Sequence, residues 1–386
     1  MSSPFTFKPL EIPPELEPLR EQVREFLREA GRDWSGWKVG HSWTGFDKDF
    51  SRAVADKSWI GMTWPTQYGG GERSHLERHV VVEEMLAAGA PLGAHWFGDR
   101  QSGPLLLRLG TEEQRRRFLP AIARGEASFC IGLSEPNSGS DLASIRAKAV
   151  RTDGGWLLTG TKIWTTNAHL CDYMIGLFRT GGGDTKVKHE GLSQFLIDMK
   201  TPGIEVRPIR DLTGENHFNE VFFDEAFVPD DMLVGEEGNG WKQATSELAF
   251  ERSQPDRFMS CFPVLPELVD AINKRGSPDR LAAREIGATV ADLVILREMS
   301  LSVLGQLAEG KTPAREAALV KDLGNSHEQQ IPNLARDLLD LPATIEQGNR
   351  LSELEGILTQ NVPSYSLRGG TREILRGIIA KGLGLR

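Results

Sequence analysis

Cysteine is scarce, with three residues, Cys130, Cys171 and Cys261, in a chain of 386. They are odd in number, widely spaced and form no CxxC pair. That excludes a disulfide framework or a thiolate zinc site and leaves three buried thiols as the expectation. Long apolar runs are missing as well; none approaches the roughly 18–20 residues of a membrane span. Residues Met1–Leu10 show no basic segment followed by an apolar core, so no signal peptide is expected and cytoplasmic residence is the default. An excess of positive charge is also lacking. The 45 Lys and Arg stand against 54 Asp and Glu, a net charge of −9. An acidic chain has no general electrostatic reason to bind nucleic acid. Metal patterns are thin: His75 and His79 are spaced i, i+4, but no HExxH motif or carboxylate set accompanies them. Arg78 beside His79 reads as a solvated helix face.

What is present is a globular composition, 39% hydrophobic and 26% charged, over a length that predicts roughly two to three domains. Residues from about Glu15 to Gly125 read as helical. In Glu15–Arg28, Leu16, Leu19, Val23, Phe26 and Leu27 form a stripe of 3.6-residue period. His79–Leu86 and Gln101–Leu109 look similar, and Thr111 with Glu113 and Gln114 reads as a helix cap region. From about Ser128 to Val234 the pattern becomes strand-like, at Trp156–Thr159, Tyr173–Phe178, Gln194–Ile197 and Glu220–Phe223. Glycines punctuate these runs at Gly154-Gly155, Gly160, Gly181–Gly183 and Gly203, and Thr180–Gly191 reads as a mobile polar loop. Helical patterns return from Gly238, through Leu281–Glu309 and Ala314–Leu341 to Thr371–Leu385. The expected divisions are 1–127 helical, 128–235 a β-domain and 236–386 a helical bundle.

Two segments of the β-domain carry the chemistry. Leu133-Ser134-Glu135-Pro136-Asn137-Ser138-Gly139-Ser140-Asp141 is a run of small residues and hydroxyls, which lets backbone N–H groups come close to an anion or a heterocycle. Ile163-Trp164-Thr165-Thr166-Asn167 sets a flat aromatic beside two hydroxyls. Gly160-Thr161-Lys162, between them, reads as a turn. Together they resemble the flavin-binding β-domain of the acyl-CoA dehydrogenase family. Trp64-Pro65-Thr66-Gln67-Tyr68-Gly69-Gly70, Gly110-Thr111-Glu112-Glu113-Gln114 and Asn219-Glu220-Val221-Phe222-Phe223-Asp224 extend the resemblance in the family's order and spacing.

The resemblance implies a mainly α fold with a central β-domain: an N-terminal helical domain, a β-barrel-like middle domain and a C-terminal four-helix bundle. It implies FAD as cofactor and α,β-dehydrogenation of an acyl-CoA, with electron-transfer flavoprotein as electron acceptor. Ile131, Leu133 and Ser134 would then run along the flavin ring, and Gly139 and Ser140 would lie near its phosphate or the acyl-CoA chain. Trp164 would pack on the ring, with Thr165 and Thr166 near it, and Thr371 would complete the cofactor contacts. Glu135 and Asp141 read as residues that hold the loop's shape.

In many members the base is a glutamate directly before a Gly-Thr pair near the C-terminus. Here that stretch is Arg368-Gly369-Gly370-Thr371, and Gly369, which cannot accept a proton, takes the glutamate's place. Glu373 follows four residues on, at a position that by resemblance faces the cofactor. A second family solution carries the base on the first helix of the C-terminal domain, directly before an arginine. Glu251-Arg252 matches it. Trp241, Ala244, Leu248 and Glu251 share one helical face, and a carboxylate continuing an apolar stripe is desolvated, which makes it a better base. From the pattern alone, Glu251 reads first as the structural partner of an arginine; the vacant Gly369 and the Glu251-Arg252 match turn the reading to Glu251 as base. Leu248, Arg252 and Ser140 are the candidate substrate contacts.

Two family features are missing. The Arg–x–x–Phe–Gly segment that grips the adenine half of FAD is replaced by Ile272–Arg280, where Arg275 is the stand-in, and no Gln–x–x–Gly–Gly precedes the final motif. A homo-oligomer using other residues is expected, with a hetero-tetramer completed by a homologous subunit as the alternative. Two further alternatives are a non-catalytic or half-site subunit and an oxygen-using oxidase of the same fold, which peroxide formation would reveal.

Overall fold

The computed structural model describes residues 5–181, 188–276, 280–341 and 345–385, and gives the backbone alone for residues 247–250. The first helices are α1 Glu17–Ala30, α2 Gly36–His41, α3 Lys48–Asp56, α4 His75–Ala87, α5 Gly103–Leu109 and α6 Glu112–Ala123. The strands follow as β1 Phe129–Gly132, β2 Lys148–Thr152, β3 Gly155–Lys162, β4 Tyr173–Arg179, β5 Leu192–Asp198, β6 Ile204–Ile209, β7 Phe218–Pro229 and β8 Leu233–Val234. The chain returns to helix in α7 Gly240–Arg252, α8 Val264–Lys274, α9 Arg280–Ala308, α10 Ala314–Leu339, α11 Arg350–Tyr365 and α12 Arg372–Gly382. The architecture is therefore the expected one of helices, a central sheet domain and helices again. Among the described residues no helix is long and apolar enough to cross a membrane.

The chain folds as two compact units. One comprises Met1–Gly45, His75–Pro91 and Leu248–Arg386; the other comprises Phe46–Ser74 and Leu92–Glu247.

In the first unit, α1 buries Leu19, Val23 and Leu27, the i, i+4, i+8 positions of its apolar stripe. Each is worth about 1.5–3 kcal/mol on burial. The helix begins at Glu17, after a 3-10 turn over Pro14–Leu16, because Pro18 suits only a first turn. Helix α4 departs from the amphipathic pattern, since every residue from His79 to Leu86 is buried. Its two buried carboxylates are neutralised instead. Glu83 meets Arg20 at 3.0 Å and Arg297 at 2.5 Å, and Glu84 meets Arg24 at 2.8 Å. His79 lies 3.6 Å from Glu83 inside this network, so the solvated face read from Arg78–His79 does not hold. Helices α8 and α11, which no sequence pattern had singled out, pack Leu265, Leu268, Leu354, Ile357 and Leu358 into one core with Ile331 and Ala335 of α10.

In the second unit all eight strands join one sheet, in the order β6-β7-β3-β2-β4-β5-β8, with β1 parallel to β4. The four strand segments read from the sequence lie in β3, β4, β5 and β7. Gly160-Thr161-Lys162, read as a turn, instead continues β3 against Val221–Phe223. Gly160 sits at φ +139, with its missing Cβ only 2.6 Å from the Ala147 Cβ, so the glycine makes a bulge rather than a reversal. Thr111 forms a full capping box with Gln114 at the start of α6. Gln101–Leu109 splits into a π-helical turn, Gly98–Ser102, followed by α5. The three cysteines are free and buried. Residues 182–187 of the Thr180–Gly191 loop lie outside the described residues.

Candidate active site

In the sheet unit, β1 delivers the chain into the loop after Gly132. The loop closes on itself through reciprocal 3.0 Å bonds between Glu135 and Ser138. The Glu135 carboxylate then fixes its shape. It accepts the Arg146 N–H at 2.7 Å, the Ala147 N–H at 2.8 Å and the Lys162 ammonium at 2.9 Å. Lys162 is fully buried, donates also to the Leu133 carbonyl at 3.2 Å, and lies over the Phe178 ring. Burial lowers its pKa to about 8, with Glu135 opposing the shift. Asp141 is peripheral, its carboxylate 3.4 Å from Lys188.

The second segment is bonded to the first, since the Ile163 N–H donates to the Ser134 carbonyl at 2.9 Å. Trp164 stands in the left-handed region at φ +61 and remains 56% exposed, its ring edge-on to Phe218. A bulky residue at positive φ is uncommon and costs on the order of 1 kcal/mol. The surrounding backbone enforces it: the Thr165 N–H donates to the Asn219 carbonyl, Asn219 Nδ2 returns a bond to the Thr165 carbonyl at 2.9 Å, and Asn167 donates to His217. The Thr165 hydroxyl is buried with no hydrogen-bond partner among the described residues, and Thr166 is buried next to it. Gly139 and Ser140 are exposed, and a Cβ on Gly139 would meet nothing within 4 Å. Ile131, Leu133 and Ser134 are half-buried, and Leu133 packs on the small core of Ile145, Leu177 and Leu192 together with Trp241. The sheet unit thus presents an upright aromatic face, a run of hydroxyls and an open glycine loop. An orphaned buried hydroxyl and a strained, exposed tryptophan are features that a bound flat, polar heterocycle would satisfy.

In the helical unit, the site is built around the end of α7 and the turn before α12. Arg257, from the 3-10 turn Pro255–Arg257, donates from Nη2 to Glu251 Oε1 at 2.5 Å and from Nε to the Glu251 carbonyl at 3.2 Å. Arg257 is 2% exposed. Burial works against its charge, but Asp256 and Glu251 more than offset this, and its pKa lies above the ordinary value. Glu251 therefore has the arginine partner that the pattern allowed, Arg257 rather than the adjacent Arg252. Arg252 is itself buried and donates to the Gly369 carbonyl at 3.3 Å.

Gly369 and Gly370 both have positive φ, +64 and +101. A Cβ built on Gly369 would lie 2.9 Å from Glu251 Oε1, 3.1 Å from Lys321 Cε and 3.4 Å from Arg257 Nη2. The carboxylate of Glu251 thus fills the place where a side chain at position 369 would begin. Lys321 is fully buried and donates to the Gly370 carbonyl at 3.1 Å. Behind it, Arg368 bonds Glu328 at 3.0 Å and stacks on Tyr365. Neither Lys321 nor Arg257 was singled out from the sequence; Arg257 follows Glu251 by only six residues, and Lys321, far along the chain, is brought there by the fold.

The remaining candidates divide. Thr371 is the N-cap of α12, its hydroxyl accepting the Ile374 N–H. Glu373 is exposed, and its own backbone N–H and the Thr371 hydroxyl hold its pKa below the usual range, the wrong direction for a base. Arg275 donates to the Leu339 carbonyl at 2.8 Å at the end of α10, so it serves as a helix cap here. The side chains of Glu247, Leu248 and Ala249 and the segment Ser277–Asp279 lie outside the described residues. Among the described residues no group of three or more His, Cys, Asp and Glu is placed to hold a metal ion.

Comparison with known proteins decides the family. The acyl-CoA dehydrogenase N-terminal domain model matches residues 13–126, and the middle domain model matches residues 130–226. The acyl-CoA dehydrogenase IpdE1 of Mycobacterium tuberculosis is 31% identical over 385 residues, covering 95% of this chain and 97% of the relative. The chain belongs to the acyl-CoA dehydrogenase family. The members are flavoprotein oxidoreductases of lipid metabolism. The acyl-CoA dehydrogenase FadE34 of M. tuberculosis is 36% identical over 338 residues, and there the chain spans only 45% of the relative's length. Among solved structures, the Tcur3481-Tcur3483 steroid ACAD matches at TM-score 0.86 and 26% identity, over 97% of this chain and 99% of that one. A chain of the ChsE4-ChsE5 complex from M. tuberculosis matches at 0.84 and 25%, over 98% and 99%.

Proposed function

We propose that this chain is an FAD-dependent acyl-CoA dehydrogenase in which Glu251 removes the α-proton of the thioester. The observation that carries the reading is the Gly369 geometry. A family glutamate position holds glycine, and a carboxylate from α7 occupies the space that glycine leaves. FAD, when bound, supplies the two-electron acceptor for the hydrogen leaving the β-carbon. Glu251 accepts the α-proton, and the electron pair of the broken Cα–H bond becomes the Cα=Cβ bond of a trans-2-enoyl product. Arg257, bonded to one carboxylate oxygen and to the Glu251 carbonyl, holds the carboxylate in one orientation. Arg252 and Lys321 each fix one carbonyl of the Gly369–Gly370 turn. In the sheet unit, Ser134, Thr165 and Thr166 offer hydroxyls, and Trp164 offers the flat face that would hold FAD, with Ile131, Leu133, Gly139 and Ser140 along the same loop. Electron-transfer flavoprotein is the proposed acceptor of the electrons, and domain limits of 1–127, 128–235 and 236–386 are proposed for the three family segments.

The likeness to the steroid ACAD supports a bulky acyl group as the substrate. The two-component names of the matching structures support a hetero-oligomer. A specific observation favours that second assembly over a self-sufficient homo-oligomer: Arg275, the one residue expected to reach the adenine half, is committed to the end of α10. The protein purified alone tests both points. Glu251→Gln that retains flavin but is no longer bleached anaerobically by any member of an acyl-CoA panel (branched short-chain, long-chain, steroid side-chain) supports Glu251 as base. Bleaching at the wild-type rate overturns it. About one flavin per chain supports a homo-oligomer, and little or none supports a partner subunit.

A further inference from the structure

We propose that Lys321 is a positioning residue for this reaction: its amine, sealed beneath the Gly369–Gly370 turn, fixes that turn and sets how readily Glu251 takes a proton. The inference rests on the reading of Glu251 as base. Three independent observations converge. Lys321 has no solvent exposure, and an amine buried without structural need is costly. Its Nζ donates to the Gly370 carbonyl at 3.1 Å, while its Cε lies 3.1 Å from the point where a Gly369 side chain would start, the same point that lies 2.9 Å from Glu251 Oε1. The surrounding charges nearly balance, so the state of one lysine decides the local sign.

Every element packed here contributes. Helix α7 brings Glu251 and Arg252, the turn Pro255–Arg257 brings Asp256 and Arg257, α10 brings Lys321 and Glu328, and the C-terminal turn brings Arg368. Burial and the neighbouring Arg257 and Arg368 push the Lys321 pKa down to about 7, with Glu251 and Glu328 opposing. The lysine therefore changes charge near neutrality. As an ammonium it stabilises the Glu251 carboxylate and weakens it as a base; as a neutral amine it lets the carboxylate bind a proton more tightly. Glu251 becomes the stronger base as pH rises through the lysine's titration.

The test is anaerobic stopped-flow flavin reduction by the same acyl-CoA panel, on flavin-loaded protein, from pH 6 to 9. Wild type is expected to gain about tenfold across an inflection near pH 7. Lys321→Met is expected to lose the inflection and stay fast, and Lys321→Arg to lose it and stay slow. Lys321→Gln, which can still bond the Gly370 carbonyl, replaces the methionine variant if that one does not fold. A second readout needs no turnover. The unfolded lysine holds its proton up to about pH 10.5 while the folded one releases it near 7, so between these values the unfolded state binds more protons and stability rises with pH. The thermal midpoint of wild type should therefore climb relative to Lys321→Met from pH 7 to 9. An inflection that persists unchanged in the variants, or midpoints that run parallel, would overturn the assignment. Fast flavin reduction in Glu251→Gln would instead sink the underlying reading, whatever the lysine variants do.

Discussion

Two buried carboxylate–lysine pairs, one in each compact unit, look alike in composition and differ in construction. Glu135 and Lys162 lie in the sheet unit. The carboxylate takes two backbone N–H groups and the ammonium, and the lysine closes the set by bonding the Leu133 carbonyl. This pair has one arrangement and holds a loop in shape. Glu251 and Lys321 lie in the helical unit with Arg257 between them in charge, around two glycines at positive φ. There the lysine bonds a turn, and a buried guanidinium nitrogen, Arg257 Nη1, has no hydrogen-bond partner among the described residues. The first pair is satisfied and rigid; the second is concentrated charge with room to change state. Burial alone does not separate scaffold from chemistry, whereas the completeness of hydrogen bonding does.

Four substitutions test the contrast, from the largest effect to the smallest. Glu251→Gln should lower anaerobic flavin reduction roughly 10²–10⁴-fold, the usual worth of a positioned base, with the flavin content unchanged. Lys162→Met should instead strike stability. It strands the Glu135 carboxylate in a buried site, at about 3–5 kcal/mol, read as a lowered denaturation midpoint together with faster flavin loss. A Lys162→Met protein as stable as wild type would erase the distinction between the two pairs. Gly369→Ala places a Cβ 2.9 Å from Glu251 Oε1 at φ +64. It should cost about 1–2 kcal/mol of folding stability from the left-handed backbone, and slow reduction by roughly tenfold or more as the carboxylate is displaced. Unchanged kinetics would mean that the carboxylate does not react from this place. Thr165→Val removes a hydroxyl buried without a partner, so the flavin-free protein should be as stable as wild type or slightly more so. Flavin affinity should fall by about 1 kcal/mol, roughly fivefold, if that hydroxyl bonds the cofactor. Equal flavin affinity would assign the orphan to the protein alone.

The order of elements was legible because hydrophobic period and glycine punctuation are local properties. Trp156–Thr159, Tyr173–Phe178, Gln194–Ile197 and Glu220–Phe223 lie in strands, and the helical patterns of α1, α9 and α10 lie in helices. Local patterns failed where burial is achieved by ion pairing. His79, with Arg78, reads as a wet helix face but is buried beside Glu83 and Glu84, which three arginines neutralise. They failed also at Gly160, where a glycine that resembles a turn signal is a bulge within β3. The candidate base could be named from the empty glutamate place at Gly369 and the Glu251-Arg252 pair. Its surroundings could not, because Arg257, Lys321, Glu328 and Arg368 are spread over more than a hundred residues and share no motif.

The sequence by itself determined the family, the strand-rich segment between two helical ones, and the chemical types offered: a flat aromatic, a run of hydroxyls, and a carboxylate on a helix where the usual place is empty. These follow from residue identity and short-range spacing, which need no contact between distant segments. The tertiary structure alone decided that Glu251 reaches the space left open by Gly369, that Arg257 is its partner rather than Arg252, that Arg275 is spent on a helix end, and that Lys321 is sealed beneath the double glycine. Each depends on which distant side chains share a desolvated volume, and the energies involved arise only once water has been excluded from it.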